Sequence, residues 1–147
     1  MPPRTVARGT AAPQGSSWGR HDIAAPSQHF AVIAGSAVLL LYIVTLAPST
    51  AFWDTSEYIA TGHILGIPHP PGNPLFVLLA RTWELLLTPF GLSTAVRINL
   101  FSAFMSAATH GLWFLVVHHV LRYFSTDRFF RLAGALAAVV VSATAFT

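Results

Sequence analysis

The chain has 147 residues, of which only 9% are charged, and a mean hydropathy of +0.61. Soluble globular proteins carry about 25% charged residues, so the composition excludes an ordinary soluble domain and implies an integral membrane protein. Its basic residues are all arginine, and a net charge of +3 gathered in two places does not suit nucleic-acid binding. With no cysteine, disulfides, thiol catalysis and thiolate-held metal are ruled out.

Residues 1–25 are rich in Pro, Gly, Ala and Ser and show no hydrophobic period. Such a segment buries too little apolar surface to offset its chain entropy, which predicts a disordered tail. Pro26-Ser27 offers a helix start. The uncharged run Phe30–Ala47, closed by Pro48, predicts a first membrane span over about residues 28–48. Two more uncharged runs, from Ile98 to Leu121 and from Leu132 to Thr147, predict spans at about 94–121 and 130–147. No flanking charge or aromatic closes the last run, which predicts a piece of a longer polytopic protein.

Arg4, Arg8 and Arg20 mark the tail, and Arg122, Arg128 and Arg131 mark the turn between the last two runs. The positive-inside rule puts both groups in the cytoplasm, which needs an even number of crossings between them. The runs 28–48 and 94–121 supply two. The stretch Pro74–Leu87 is too short for a third and carries Arg81 and Glu84, each costing roughly 2.5–3.5 kcal/mol at the bilayer centre. It reads better as a helix lying at the membrane interface. Residues 49–93 then form an external, non-cytoplasmic loop with juxtamembrane helices at about 54–65 and 74–88.

Two of the five acidic residues, Asp54 and Glu57, sit one helical turn apart in that loop. Asp54 suits an N-cap, Glu57 the third helical position, and Trp53 and Tyr58 a hydrophobic staple. Gly66 suits the stop of that helix, and Asn73-Pro74 the cap and first residue of the next. Capping and chemistry both explain the acids, and an N-cap Asp can still present its free oxygen to a substrate. Pro68-His69-Pro70-Pro71-Gly72 predicts a stiff extended connector, either a plain elbow or a rigid carrier for His69. In the 94–121 helix, Ser93 suits the cap. Asn99, Ser102, Ser106 and His110 form a polar stripe, and Ala103, Ala107 and Gly111 a line of small residues suited to close helix packing. Arg97, in its first turn, is either a snorkelling cation or an anion ligand.

The series TLAPSTAFWDTSEYIATGHILGIPHPPGNPLFVLLARTWELL, followed by AVRINLFSAFMSAATHGLWFLV, resembles the start of a family of polytopic membrane proteins. That family was long described as a domain of unknown function. It includes the transmembrane O-mannosyltransferase that acts on plexin-type receptors in animals, and it belongs to the GT-C class of glycosyltransferases. The resemblance implies an all-α fold of polytopic membrane helices with two external juxtamembrane helices, the N-terminal part of a GT-C fold.

It also implies transfer of a sugar such as mannose from a polyprenyl-phosphate donor to an acceptor hydroxyl on a protein or glycan. An acidic residue of the first external loop would be the base, a position that falls on Asp54, with Glu57 as the second acid. Arg97, and after it His69 and Arg81, would be the donor-phosphate ligands. No metal or other cofactor is implied by the residues, since nothing matches a D-x-D site, although some relatives of the class use a divalent ion. The expected setting is multi-pass in a lipid bilayer, a bacterial inner membrane, with no nucleic-acid partner. A non-catalytic scaffold segment and a transporter fragment are the rival readings.

Overall fold

A computed structural model describes residues 28–50 and 53–145. The tail at 1–25, Pro26-Ser27, Phe52 and the last two residues, on which several of these expectations fall, lie outside the described residues. Among the described residues the chain is all helical: α1 (Gln28–Val44), α2 (Thr55–Ile64), α3 (Pro74–Leu86), a 3-10 turn (Thr88–Phe90), α4 (Thr94–Leu121) and α5 (Arg128–Thr144).

Helix α4 is the central element, and α1 and α5 pack along it. Its cap forms as the local sequence suggests, with Ser93 Oγ accepting the Val96 N–H at 3.3 Å. It is long and apolar enough to cross a membrane, whereas the apolar α1 is shorter. Helix α1 stops at Val44, ahead of the boundary expected near residue 48. Pro48 disfavours helical geometry in the residue before it, and the Thr45 hydroxyl donates to the Leu41 carbonyl at 2.9 Å in the final turn.

Ala31, Ala34 and Val38 of α1, Ala107 and Phe114 of α4, and Ala135, Val139 and Ala143 of α5 make one core. Within α1 and α5 these positions recur every three or four residues, so each of those two helices turns a single face to the core. The small-residue line on α4 works as its spacing implies. A Cβ added to Gly111 would stand 3.1 Å from the Ala31 carbonyl oxygen, and one on Gly35 3.2 Å from the Ala107 oxygen. A side chain at either position would press on the facing backbone, so glycine eases this close approach.

A second core, formed by Ile59, Ala80, Ile98 and Phe101, seats α2 and α3 on the first turns of α4. The acid-bearing helix is thereby fixed to one end of the long helix. Asn99 adds a polar tie, its amide donating to the carbonyls of Ala47 (2.9 Å) and Ser49 (3.2 Å) in the segment after α1. At the opposite end Asp127 caps α5 by accepting the Phe129 N–H at 2.9 Å.

Candidate functional site

The local structure around the acids departs from a capping box. Asp54 precedes α2, yet its side chain makes no cap hydrogen bond, and Glu57 turns outward to the connector. Trp53 has φ of 61° and is 95% exposed, so the hydrophobic staple with Tyr58 does not form. At the other end of α2, Leu65 rather than Gly66 takes the left-handed conformation, and the Gly66 N–H donates to the Thr61 carbonyl at 2.9 Å. The connector is extended only at first. Pro68 is buried, and the chain then turns over 69–72, with the Gly72 N–H donating to the His69 carbonyl at 3.0 Å. Gly72 has φ of 78°, a conformation glycine adopts without strain.

That turn delivers His69 to the acids. Its backbone N–H donates to Glu57 Oε1 at 2.6 Å and its ring Nδ1 to Oε2 at 2.9 Å. A carboxylate receiving two N–H groups from one residue is held in a single orientation. The side-chain hydrogen bond from His69 holds the Glu57 carboxyl below its ordinary range, and the same bond raises the His69 imidazole above its own. With Nδ1–H committed to Glu57, Nε2 faces Asp54, 4.0 Å from Oδ2. That separation is too long for a hydrogen bond and leaves a polar gap between a ring nitrogen and a carboxylate.

Ligating atoms of Asp54, Glu57 and His69 lie within 4.8 Å of one another, so this trio could hold a divalent cation. Sequence spacing concealed it, because His69 reaches the acids across a turn and not along a helix.

Tyr58 and Asn73 frame the trio. The Asn73 amide donates to the Tyr58 hydroxyl at 2.7 Å in place of capping α3, and the Tyr58 ring meets His69 and Phe76 edge-on. Beside them opens a cavity of about 530 Å³, lined by Trp53, Asp54, Tyr58 and Asn73 and floored by Asn99 and Ser102 of α4. An adjoining cleft shares Asn99 and Ser102 and continues to Ser106 and Tyr42. Helix packing alone therefore does not account for the polar stripe. Its first members line open space next to Asp54, and their helical spacing was the available signal.

Arg81 and Arg97, the two arginines expected to meet a donor phosphate, gather around Glu84. Glu84, 1% exposed, is bonded by Arg81 Nη1 at 2.6 Å and by His63 at 2.8 Å, with Arg97 Nη2 at 3.4 Å. Burial alone would push its carboxyl up, but the hydrogen bonds from Arg81 and His63 outweigh this and hold it below the ordinary range. His63 Nδ1 lies 3.1 Å from Arg81 Nη1 as well. One nitrogen cannot both donate to Glu84 and accept from Arg81, and the ionised carboxylate favours donation.

Arg97 Nη1 also donates to the Glu84 carbonyl and to Thr88 Oγ1, and Nη2 to Thr94 Oγ1, at 3.1, 2.7 and 3.3 Å. Its guanidinium is thus largely occupied, while Arg81 keeps Nε and Nη2 in reserve. His63 follows Glu57 by six residues, about 9 Å along α2 at 1.5 Å per residue. The acids with His69 and the arginines with Glu84 are therefore neighbouring, separate clusters. Sequence reasoning counted Glu84 only as a charge unfit for a membrane interior; its i, i+3 spacing from Arg81 was the available signal of a pair.

The model of one protein family, the protein O-mannosyl-transferase TMEM260 N-terminal domain, matches residues 54–147, beginning at Asp54 itself. The chain belongs to this family. Among relatives, the mouse protein O-mannosyl-transferase TMEM260 is 36% identical over 112 residues, covering 76% of this chain and 14% of that protein. The Dictyostelium discoideum protein O-mannosyl-transferase tmem260 is 30% identical over 79 residues, 54% of this chain and 10% of that protein. The chain thus spans a small part of the length of the family relatives it matches. No solved structure matches it.

Proposed function

We propose that this chain is the N-terminal part of a multi-pass GT-C glycosyltransferase that moves mannose from a polyprenyl-phosphate donor to an acceptor hydroxyl on the non-cytoplasmic side. The carrying observation is that Asp54 stands beside an open cavity with its side chain free of the capping bond that would otherwise explain it. The names of the family and of its relatives support mannose as the sugar and a protein as the acceptor.

In this reading Asp54 takes the proton of the acceptor hydroxyl as its oxygen bonds to the anomeric carbon. The bond from that carbon to the donor phosphate oxygen breaks, and the lipid phosphate leaves with the electron pair. Glu57 holds the His69 ring in one orientation, with Nε2 on the side of Asp54, where it meets either the departing phosphate or the hydroxyl. A cationic His69 is favoured by Glu57 and supports charge stabilisation of the phosphate. Arg81 has donors left for that phosphate. Arg97, pinned on Glu84, Thr88 and Thr94, acts through the position it gives α3 on α4. Trp53 and Tyr58 offer the aromatic faces and Asn99 and Ser102 the polar groups that a hexose ring needs. If a divalent ion takes part, Asp54, Glu57 and His69 would hold it and it would supply charge to the leaving phosphate.

The test is Asp54→Asn in the full-length protein, assayed for mannose transfer from a polyprenyl-phosphate donor. Loss of positioned proton transfer lowers the rate by about 10²–10⁴-fold, with unchanged donor binding. Full activity in this variant would remove Asp54 from the chemistry.

A further inference from the structure

The turn between α4 and α5, at the end of α4 away from the acids, is basic and aromatic together. Arg122, Arg128 and Arg131 lie within it or beside it, next to His118 and His119. Tyr123, Phe124, Phe129 and Phe130 are all exposed there. Among the described residues of this turn the single acid is Asp127, and its Oδ1 accepts the Phe129 N–H. The positive charge therefore has little to oppose it.

Beneath this surface two polar atoms are buried without a partner, His118 Nδ1 and Arg131 Nε. His118 is only 7% exposed, stacked on Phe114 at 5.9 Å between ring centroids. The charges that act on it are Arg131, Arg122, Arg128 and His119, all basic, from both α4 and α5. Arg131 Nη1 donates to the Ser125 and Thr126 carbonyls at 3.2 and 3.1 Å, which fixes the guanidinium while leaving Nε unmet. Both atoms lie beneath the surface; what the surface itself offers is three arginines around one acid committed to a cap, a charge that an oxyanion complements.

We propose that this turn binds the phosphate of an anionic phospholipid headgroup, held among Arg122, Arg128 and Arg131. Tyr123 among arginines, with the apolar rings of Phe124, Phe129 and Phe130 beside them, is the pattern of a membrane–water interface, which selects a lipid over a soluble phosphate. The site is distinct from any donor-phosphate position. His118 lies nineteen residues beyond Asn99, about 28 Å along α4 at 1.5 Å per residue, and Asn99 lines the Asp54 cavity. The inference does not depend on the transferase reading.

Native mass spectrometry of the chain in a neutral detergent, titrated with dioleoyl phosphatidylglycerol or dioleoyl phosphatidylcholine, tests it. Retention of phosphatidylglycerol at least ten-fold tighter than phosphatidylcholine is expected, with Arg131→Gln weakening it about five-fold, the scale of one basic residue at a membrane surface. Arg131→Lys separates lost binding from lost folding, and the exposed Arg128→Gln supplies a variant unable to disturb the core. Equal retention of the two lipids would overturn the proposal, as would wild-type retention in both Arg131→Gln and Arg128→Gln. Displacement of phosphatidylglycerol by an equal concentration of inorganic phosphate would overturn the choice of a lipid.

Discussion

Helices α2 and α3 carry two clusters of the same chemistry, carboxylates with histidine and arginine, in opposite environments. Glu84 is almost fully buried and surrounded by Arg81, Arg97 and His63, drawn from α2, α3 and α4. Asp54, Glu57 and His69 are open to solvent, and Asp54 lines a cavity. In the first cluster donors from three elements converge on one carboxylate, leaving it no capacity for a substrate, and it acts as a brace. In the second, Glu57 is satisfied by His69 alone, and Asp54 retains its oxygens for whatever enters. Position relative to water, more than residue type, separates a structural carboxylate from one available for reaction.

Removing Glu84 should break this contrast most sharply. Glu84→Ala leaves Arg81 and Arg97 without their shared anion, and breaking a buried pair in this way costs about 3–5 kcal/mol. The loss should fall at the lower end, about 3 kcal/mol, because Arg81 is partly exposed and can swing to water. Thermal unfolding in detergent micelles, followed by tryptophan fluorescence, measures it. A loss below that of a surface substitution, about 0.5 kcal/mol, would mean that the three helices are held by apolar packing alone.

Arg97→Ala comes next. It removes hydrogen bonds to the Glu84 and Thr88 oxygens made by a charged donor, worth about 1.5–3 kcal/mol together with the packing of its stem. The same change at Arg81 should be milder in stability, since His63 and Arg97 remain on Glu84, yet heavier in donor binding if Arg81 meets the phosphate. Donor affinity measured on both variants in the full-length protein separates the two roles. A greater loss of affinity with Arg97→Ala than with Arg81→Ala would reverse the assignment.

Much of this contrast could not be read from the sequence. The helices α3 and α4, the Ser93 cap and the glycine contact with α1 follow from local rules, because caps and small-residue spacing act within a few residues. Arg97 looked equally suited to an interface or an anion because its partner, Glu84, lies thirteen residues back and meets it only after α3 folds onto α4. Asp54-x-x-Glu57 satisfied every requirement of a capping box. The fold diverts Glu57 to His69, a contact set by where the 69–72 turn returns the chain. Asn99 showed the same gap: its polar face was visible, its bonds to the Ala47 and Ser49 carbonyls were not.

The exposed pair Glu57–His69 predicts a pH window. The Glu57 carboxyl is held below its ordinary value, so its contribution is present above about pH 4.5 and fades as pH falls through the lowered value. His69 is raised, so its contribution is complete below about pH 6.5 and fades as pH rises through the raised value. The connector should therefore be most firmly held between about pH 4.5 and 6.5. Hydrogen exchange of the His69 amide across pH, corrected for the intrinsic rate, reads this window. Glu57→Gln should flatten the profile, and a profile unaltered in that variant would dissolve the pair.

The smallest effect is the most telling one for Asp54. A side chain that caps a helix costs about 0.5–2 kcal/mol when cut to alanine, which is the loss expected for Asp127→Ala and Ser93→Ala, whose caps are formed. Asp54 makes no such bond, so Asp54→Ala should shift stability by no more than about 0.5 kcal/mol. Measured side by side by thermal unfolding, the three variants place Asp54 either among the caps or apart from them. A loss equal to that of Asp127→Ala would return this carboxylate to a structural role and take away the main reason for reading the cavity beside it as a reaction site. A negligible loss, set against inactive Asp54→Asn enzyme, would leave a residue that the fold does not need for its stability and that the chemistry does.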